Sequence, residues 1–439
     1  MVEAAPKTQA RPQIKLMFEI GDLGDTDFGG LFSRFEFKAM INGGYIVRCT
    51  LFDTHFNLLS KLIKNGYLEK SRSQILPIRF QMRASADGAE FPETATRMQR
   101  AIVLSLAATG GSPDMGRLEF IAIDPPSWYL NAGDSSGGVY QGKVSQVIKQ
   151  VVNEYAPKIK LDISETIDNE QNKFWMMRQD PKTFIASLVD WSASVTRNKT
   201  HWLIAMDGNK LTIKEQSELM SKPRAFYRYW KGTGMDTLRS WEFLADNALS
   251  IVQTKLLTQG LSAISGQYLD RITDEKEQKI FVKDTTTQAK KVAKTSEKES
   301  FTKPDDEAGA GPPHNGWSTV QGIPEVYSAG DIGLPYEQYL DGRPRGMWLN
   351  LINSVMRMKI KVLGHGEWSD CTGLGCDTIY LKWLTAGEGE DKKYFLNGNW
   401  IVYGFHHIAT RGEWYTDLYI ARYDYDSTSK KVGGDPSAN

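Results

Sequence analysis

The densest group of residues able to do chemistry lies in one short stretch, residues 364–376, with the sequence GHGEWSDCTGLGC. It combines an imidazole, two carboxylates and two thiols, from His365, Glu367, Asp370, Cys371 and Cys376. These groups could ligate zinc, but structural zinc sites add a second pair of ligands to a C-x₂₋₄-C motif, and no second pair follows here. We therefore predict that the chain binds no zinc or other metal and no cofactor.

The same stretch contains the two carboxylates that a glycoside hydrolase needs. Glu367 and Asp370 could act as acid and base, or as acid and nucleophile, if about 5 to 10 Å separated them. Any solvated loop offers such a pair, however, and the sequence lacks the G-x-S-x-G, H-E-x-x-H and Walker-type glycine motifs of other enzyme classes. We therefore favour a protein without catalytic residues. A carbohydrate-binding or hydrolytic protein with its site in this loop is the alternative.

Two adjacent histidines, His406 and His407, form the second candidate site. They lie among aromatic and β-branched residues typical of a β-strand, in which successive side chains point to opposite faces. Two such histidines cannot close on one metal ion, so we predict ordinary sheet positions for both. Alternation assigns one face to Trp400, Val402, Gly404, His406 and Ile408, and the other to Ile401, Tyr403, Phe405 and His407.

Aromatic residues are frequent in the last strands of the chain, where they could form a sugar-binding platform or a protein interface. A sheet with one buried face accounts for most of them, yet tyrosine and tryptophan are also residues that interfaces favour. A strand that is apolar on both faces needs a cover on each side. The candidate contacts with another subunit or a partner are Trp400, Tyr403, Trp414, Tyr415, Tyr419 and Tyr423.

Composition limits the class of protein. The chain has 439 residues, 41% hydrophobic and 24% charged, as expected for a soluble globular protein of two to four domains. Basic and acidic residues both number 53, so no net positive charge favours nonspecific nucleic-acid binding. Three cysteines do not make a disulfide scaffold. No stretch reaches the roughly 20 apolar residues of a membrane span, and the first residues lack the apolar core of a signal peptide.

Strand patterns dominate both ends of the chain. Alternating hydrophobic residues predict a first β-rich unit over residues 14–126, including a hairpin of FSRFEFKAM and YIVRCTLFD. A short helix follows this hairpin, with Thr54 as its expected N-cap and Gly66 at its end. Strand patterns return over residues 223–282 and 335–426, which together form the predicted second β-rich unit.

A different pattern separates the two β-rich units. Residues 127–222 contain two amphipathic helices, the second capped by Asp180, and a hairpin that turns at residues 207–209, so we predict a small α+β module. Residues 283–334 are rich in Lys, Glu, Thr, Pro and Gly, a composition typical of a polar low-complexity insertion or linker. The tail, residues 427–439, is expected to be disordered.

Two stretches carry patterns that match a known family. The first is a helix and hairpin whose matching positions are Gln179, Asp180, Phe184, Ile185, Leu188, Leu211 and Ile213. The second is a set of closing strands, matched at Gly398, Trp400, Val402, His407, Gly412, Tyr415, Thr416, Leu418, Ile420 and Arg422. With these patterns, most of residues 14–426 resembles the baseplate hub proteins of contractile phage tails and the front part of VgrG spikes.

The resemblance implies a fold and an assembly. The fold would be a β-rich α+β fold in which two related, tube-like β-barrels bracket the α+β module. Three copies would form a ring-shaped homotrimer whose six barrels meet a six-fold tail tube. The implied role is a structural hub in the baseplate of the virion tail, assembled in the host cytoplasm, that frames the channel for DNA ejection. A tail-associated carbohydrate-binding protein or cell-wall hydrolase is the alternative.

The resemblance also implies partners. They are two further copies of the chain, the tail tube protein, the central three-fold spike protein and the baseplate wedge proteins, with DNA passing through transiently. No spike or lysozyme follows Asn439, so we expect these to be separate proteins. A lumen rich in lysine and arginine would hold phosphate, so its lining should be acidic or neutral, with positive charge on rims and outer faces.

Overall fold

The fold of the chain is known from a computed structural model. It describes residues 12–67, 75–84, 94–111, 113–131, 137–168, 170–176, 179–189, 192, 202–215, 225–229, 239–243, 263–269, 278–284, 357–364, 366–383 and 397–422. The predicted insertion beyond residue 284, the tail at 427–439, His365 and Tyr423 lie outside these residues.

The described residues of the first β-rich unit form seven strands and one α-helix. They are β1 (Pro12–Phe18), β2 (Phe32–Met40), β3 (Gly44–Phe52), α1 (Asn57–Lys64), β4 (Pro77–Ala84), β5 (Thr94–Ala95), β6 (Gln99–Thr109) and β7 (Arg117–Ile123). Six strands pair antiparallel in the order β1-β4-β6-β7-β3-β2, and β5 adds a short pairing to β4. Alternate residues of β2 and β3 enter the core, which confirms the predicted period of two and the hairpin that these strands form.

Helix α1 begins differently from the prediction. Thr54 is not its N-cap, because residues 54–56 form a separate 3₁₀ turn. The carboxylate of Asp53 caps the helix from further upstream and accepts hydrogen bonds from the backbone nitrogens of Leu58 at 2.7 Å and Leu59 at 2.9 Å. Gly66, with a φ of +88°, follows the helix as predicted.

The central module has a core of its own. Its elements are α2 (Pro125–Asn131), β8 (Gly138–Gln141), α3 (Val144–Tyr155), β9 (Lys160–Ile163), β10 (Lys173–Met176), α4 (Pro181–Val189), β11 (Trp202–Asp207) and β12 (Lys210–Glu215). Helices α3 and α4 pack with the β11–β12 hairpin, and Asp180 accepts a hydrogen bond from Thr183 N at 2.8 Å, so the predicted helices, hairpin and cap are confirmed. No helix in the described part of the chain is long and apolar enough to cross a membrane.

The second β-rich unit contains the remaining strands. They are β13 (Ala225–Tyr229), β14 (Ser240–Phe243), β15 (Ala263–Leu269), β16 (Gln278–Asp284), β17 (Arg357–Leu363), β18 (Thr378–Trp383), β19 (Gly398–Thr410) and β20 (Trp414–Arg422). Strands β15 and β16 form a separate hairpin. The other six pair in the order β13-β18-β19-β20-β17-β14, antiparallel except for β13 with β18.

The two units share one strand order, although β1 is antiparallel to β4 whereas the equivalent β13 is parallel to β18. When the six main strands of each unit are numbered along the chain, both sheets have the spatial order 1-4-5-6-3-2. Their registers also coincide: Ala122 pairs with Val47 in the first unit, as Ile420 pairs with Met358 in the second. When Ala122 is aligned with Ile420, the bulge that follows Val103 in β6 occupies the same position as the bulge that follows Val402 in β19.

Strand β2 joins the two units into one sheet. It pairs antiparallel with the second half of β19, from Met40 opposite Gly404 to Arg34 opposite Thr410. The result is a 13-stranded sheet over one hydrophobic core, in which the rings of Phe37 and Phe405 lie 5.2 Å apart. Within the described residues there is no closed barrel, because the outer edge of β2 bonds β19 and not β1.

A bulge in β19 changes the predicted strand faces. The register shifts at Tyr403, which adds one residue to β19 and reverses the alternation beyond it. The prediction therefore fails for one half of the strand. The residues that share the core face, all fully buried, are Trp400, Val402, Phe405 and His407.

Candidate functional site

His407 is a fully buried core residue. Its Nε2 lies 3.0 Å from the carbonyl oxygen of Trp368, which can only accept, so Nε2 carries the proton. Its Nδ1 then accepts from the hydroxyl of Thr416 at 2.7 Å and from Trp414 Nε1 at 3.3 Å. The ring thus links β19, β20 and the loop that precedes β18.

His406 points to the other face of the sheet. Its Nε2 lies 3.3 Å from Oε2 of Glu36 on β2, and in the cross-strand register it stands between Lys38 and Asp417. Burial lowers the pKa of His406, while Glu36 and Asp417 counteract this shift. The predicted sheet positions are confirmed for both histidines, whose rings lie on opposite faces and cannot bind one ion.

The loop at residues 366–376 fastens three parts of the molecule together. Arg97, just before β6, forms ion pairs with Asp207 of the module at 3.3 Å and with Asp370 of the loop at 3.1 Å. Gln99 donates from Nε2 to Asp207 Oδ1 at 2.6 Å and to the carbonyl of Ser369 at 3.1 Å. Two of the loop residues are therefore part of a joint between the first unit, the module and the second unit.

The other candidate ligands of this loop serve local structure. Asp370 also caps a short turn and accepts a hydrogen bond from Thr372 N at 2.9 Å. Cys371 and Cys376 are buried, and burial raises the pKa of both thiols. Among the described residues, no group of three His, Cys, Asp or Glu side chains is placed to hold a metal. Elemental analysis of purified protein tests the prediction of no stoichiometric zinc.

The aromatic residues predicted to contact a partner separate into two sets. Trp400 and Trp414 have no exposed surface, so the prediction fails for them: their rings already fill the core of the chain. Tyr403, Tyr415 and Tyr419 are partly exposed on the outer face of the sheet and stay candidates for a partner contact.

Each of these tyrosines lies under a cation. Arg357 lies over Tyr403 at 5.3 Å from the ring centroid, Lys361 over Tyr415 at 4.2 Å and Lys38 over Tyr419 at 5.4 Å. Such contacts hold the rings and cations against the sheet surface.

The outer face of the first unit contains a groove of about 400 Å³. It crosses β2, β3, β7 and β6, and its lining includes Arg34, Glu36, Arg48, Ser105, Glu119 and Ile121. Two bases and two acids alternate along it, so their charges cancel. These four charged residues therefore give the groove no net formal charge.

The ionic joint around Arg97 was not predicted from the sequence. Arg97 is a single arginine outside any motif, and its two partners lie 110 and 273 residues further along the chain, as Asp207 and Asp370. The hairpin turn at Asp207 was the only signal, and it indicated a turn rather than a contact. The resemblance to a known family implied two related units, but the shared strand order could not be read from the residues themselves, because the two units share positions and not residue types.

Comparison with known proteins identifies the fold. No family model matches the sequence, and no curated protein matches it. Among solved structures, the tail protein from Neisseria meningitidis MC58 is similar with a TM-score of 0.53 at 10% identity, over 93% of this chain and 97% of that chain. The 43 kDa tail protein of prophage MuSo2 from Shewanella oneidensis has a TM-score of 0.52 at 10% identity, over 94% and 99%.

The chain therefore shares its fold with these two tail proteins. The resemblance predicted from the sequence is confirmed at the level of this fold, which extends over nearly the whole length of both solved proteins.

Proposed function

We propose that the chain is a structural hub at the tip of a phage or phage-derived tail. Three copies form a ring that joins a six-fold tail tube to a three-fold spike and surrounds the channel for DNA. Its work is assembly and symmetry matching, and no bond is made or broken. The protein is a virion component that assembles in the host cytoplasm with the tube, spike and baseplate wedge proteins.

One observation carries this proposal: a single chain contains two units with the same strand order, registers and bulge. Three such chains present six similar units to a six-fold partner while keeping three-fold symmetry for a spike. The likeness in fold to two tail proteins supports the same role. The only loop with enzyme-like residues is, within the described residues, committed to the joint around Arg97.

The test is the mass and shape of the purified chain. Light scattering should give three times the mass of one chain, and averaged electron micrographs should show a ring with six similar lobes. A stable monomer, or a dimer, at concentrations in the micromolar range would contradict the proposal. A monomer that binds or hydrolyses bacterial cell-wall glycan would support the alternative function.

A further inference from the structure

Within the described residues, no strand or loop covers the second half of β6 on the side away from β7. Strand β6 pairs with β4 up to Ile102, and beyond its bulge at Leu104 it pairs with β7 alone. Residues 104–111, LSLAATGG, contain no charge and no proline, and seven of these eight residues are exposed. Proteins usually protect a free edge with lysine, proline or a covering loop, so an edge without these devices indicates a strand partner.

The equivalent half of β19 already has such a partner. The matched bulges place residues 105–109 of β6 on residues 404–408 of β19. In β19 this segment bonds β2, and Gly404, Phe405 and His407 are buried, whereas the same positions in β6 are open or only half covered. Strand β2 covers this edge in the second unit, and no described strand covers the equivalent edge in the first unit.

Strand β14 is the counterpart of β2. In the repeated register, Glu242 lies opposite Lys359 as Glu36 lies opposite Arg48. Strand β2 continues the sheet to β19, whereas β14 is the last strand of the hydrogen-bonded path among the residues that the structure describes. Each chain therefore contains one completed joint of this kind and the two separate halves of another.

We propose that β14 of one copy pairs antiparallel with the second half of β6 of the next copy, in the register of the β2–β19 joint. Transfer of that register places Glu242 opposite Thr109, and Phe243 opposite Ala108, of the neighbouring copy. The partner is a second copy of this chain, because the chain itself carries the strand of matching position and direction. The inference rests on the proposed trimer and names the surfaces that hold it together.

This pairing is head to tail and closes into a ring. The β2–β19 joint relates the first unit of a chain to its second unit, and the same joint then relates that second unit to the first unit of the next copy. A contact repeated by a constant rotation closes when the rotation divides a full circle. Closure after six units, and thus three copies, is what a six-fold tube requires.

The other outer edge of the first unit is closed to pairing. On β1, the backbone nitrogen of Leu16 donates to the carboxylate of Asp27 at 2.9 Å, and the carbonyl of Leu16 accepts from Phe28 N at 2.7 Å. The same carboxylate accepts from Gly29 N at 2.8 Å and holds the covering loop in place. A loop thus protects β1, in contrast to β6.

A disulfide between copies tests the register. In the β2–β19 joint, Ile41 N donates to Tyr403 O at 2.9 Å, so Ile41 and Tyr403 form a hydrogen-bonded pair. Hydrogen-bonded and non-hydrogen-bonded pairs alternate along an antiparallel ladder, which makes Glu36 with Ile408 a non-hydrogen-bonded pair. The Cα atoms of such a pair are about 4.5 Å apart, within the range of a disulfide. The double variant Thr109→Cys/Glu242→Cys should therefore cross-link neighbouring copies under mild oxidation and give covalent dimers and trimers on a non-reducing gel.

The matched control shifts one cysteine along β6. Ser105→Cys/Glu242→Cys keeps both cysteines exposed on the same face, but moves the first by four residues, or about 13 Å, and should not cross-link. The native cysteines are buried and the pKa of each thiol is raised, so they do not compete with the introduced cysteines for disulfide formation. They are Cys49, Cys371 and Cys376.

Each result of this experiment decides between the proposals. Covalent trimers from the first variant alone support the strand pairing. A trimer by light scattering without cross-links, or with equal cross-links in both variants, overturns the pairing and leaves the proposed function intact. Covalent dimers that never reach trimers also overturn it, since they indicate a two-fold contact. A monomer without cross-links overturns both.

Discussion

The residues that look most reactive in this sequence stabilise structure. Asp370 and Ser369 connect the second unit to Arg97 and Gln99 of the first, and His407 connects β19 to a loop and to β20. The sequence alone indicated that the two histidines occupy opposite strand faces, because that follows from the period of a strand. It did not indicate their partners, which are distant in the chain.

Replacement of His407 should destabilise the fold more than replacement of its neighbour. His407→Leu leaves the carbonyl of Trp368 and the indole nitrogen of Trp414 buried without this partner, at a cost of about 1–3 kcal/mol. His406→Leu removes one contact with Glu36, between side chains that are 17% and 16% exposed, and should cost less than about 1 kcal/mol. Chemical denaturation of both variants gives the two values, and equal losses would contradict the assigned roles.

Asp207 should make stability depend on pH in a defined direction. Burial raises the pKa of Asp207 above 3.8, so the folded state holds this proton more tightly than the unfolded state does. This contribution is present below 3.8 and is lost as pH rises through the folded pKa. Asp207→Asn removes the titrating carboxyl group, so the variant does not lose this stability. Its free energy of unfolding relative to wild type should therefore increase as pH rises from 3.8 through the folded pKa of Asp207, which denaturant titrations at several pH values measure.

Asp162 provides a control with the opposite sign. Burial alone would raise the pKa of Asp162, but Lys210 and Lys214 outweigh it, and the pKa lies below 3.8. Its contribution is present above 3.8 and lost as pH falls through the folded pKa. Asp162→Asn should therefore lose stability relative to wild type as pH rises. Parallel slopes for the two variants would refute the assignment of either shift.

At the scale of elements, local patterns predicted local structure. The β2–β3 and β11–β12 hairpins, the helix capped by Asp180 and the turn around Gly412 follow from periodicity and turn residues close together in sequence. The β2–β19 joint brings together Glu36 and His406, 370 positions apart, and no local pattern encodes it. The bulge at Tyr403 was missed for the same reason, because it depends on where β20 pairs.

Gly404, beside this bulge, is the position where the joint is least tolerant of a side chain. A Cβ there would collide with the sulfur of Met40 and lie 3.0 Å from the carbonyl oxygen of Ala39, both on β2. Gly404→Ala should therefore cost about 1–3 kcal/mol in unfolding free energy and weaken the joint. Gly412→Ala, at a turn with nothing within 4 Å of a Cβ, should change stability by less than about 0.5 kcal/mol. Thermal denaturation of the two variants measures the difference. Equal melting midpoints would show that β2 shifts to accommodate the added methyl group without loss of stability.

At the scale of the whole molecule, the repeat explains how charge is distributed over a ring. On the outer sheet face, the strands from β7 to β14 hold nearly equal numbers of bases and acids, namely Arg34, Lys38, Arg48, Lys359 and Lys361 against Glu36, Glu119, Glu242 and Asp417. Further positive charge lies at the end of the sheet formed by β1, β4 and β6, which adds Lys15, Arg79, Arg83 and Arg100. Acid, base and acid recur at matched positions of both units. Arg117 and Arg357 stand at the first residues of their strands, and so at the rim.

This distribution fits the expected channel if the outer face of the strands from β7 to β14 lines it, since a nearly neutral wall lets DNA slide while a basic wall would hold phosphate. Glu119→Lys tests the idea, because it places three added positive side chains on that wall in a trimer, at an exposed position. Particles carrying it should assemble normally but release DNA more slowly, on the order of tenfold at low salt, with the difference shrinking as salt is raised. Glu413→Lys makes the same change at the β19–β20 turn and should leave release unchanged. Normal DNA release from Glu119→Lys particles at low salt would show that this face does not line the channel.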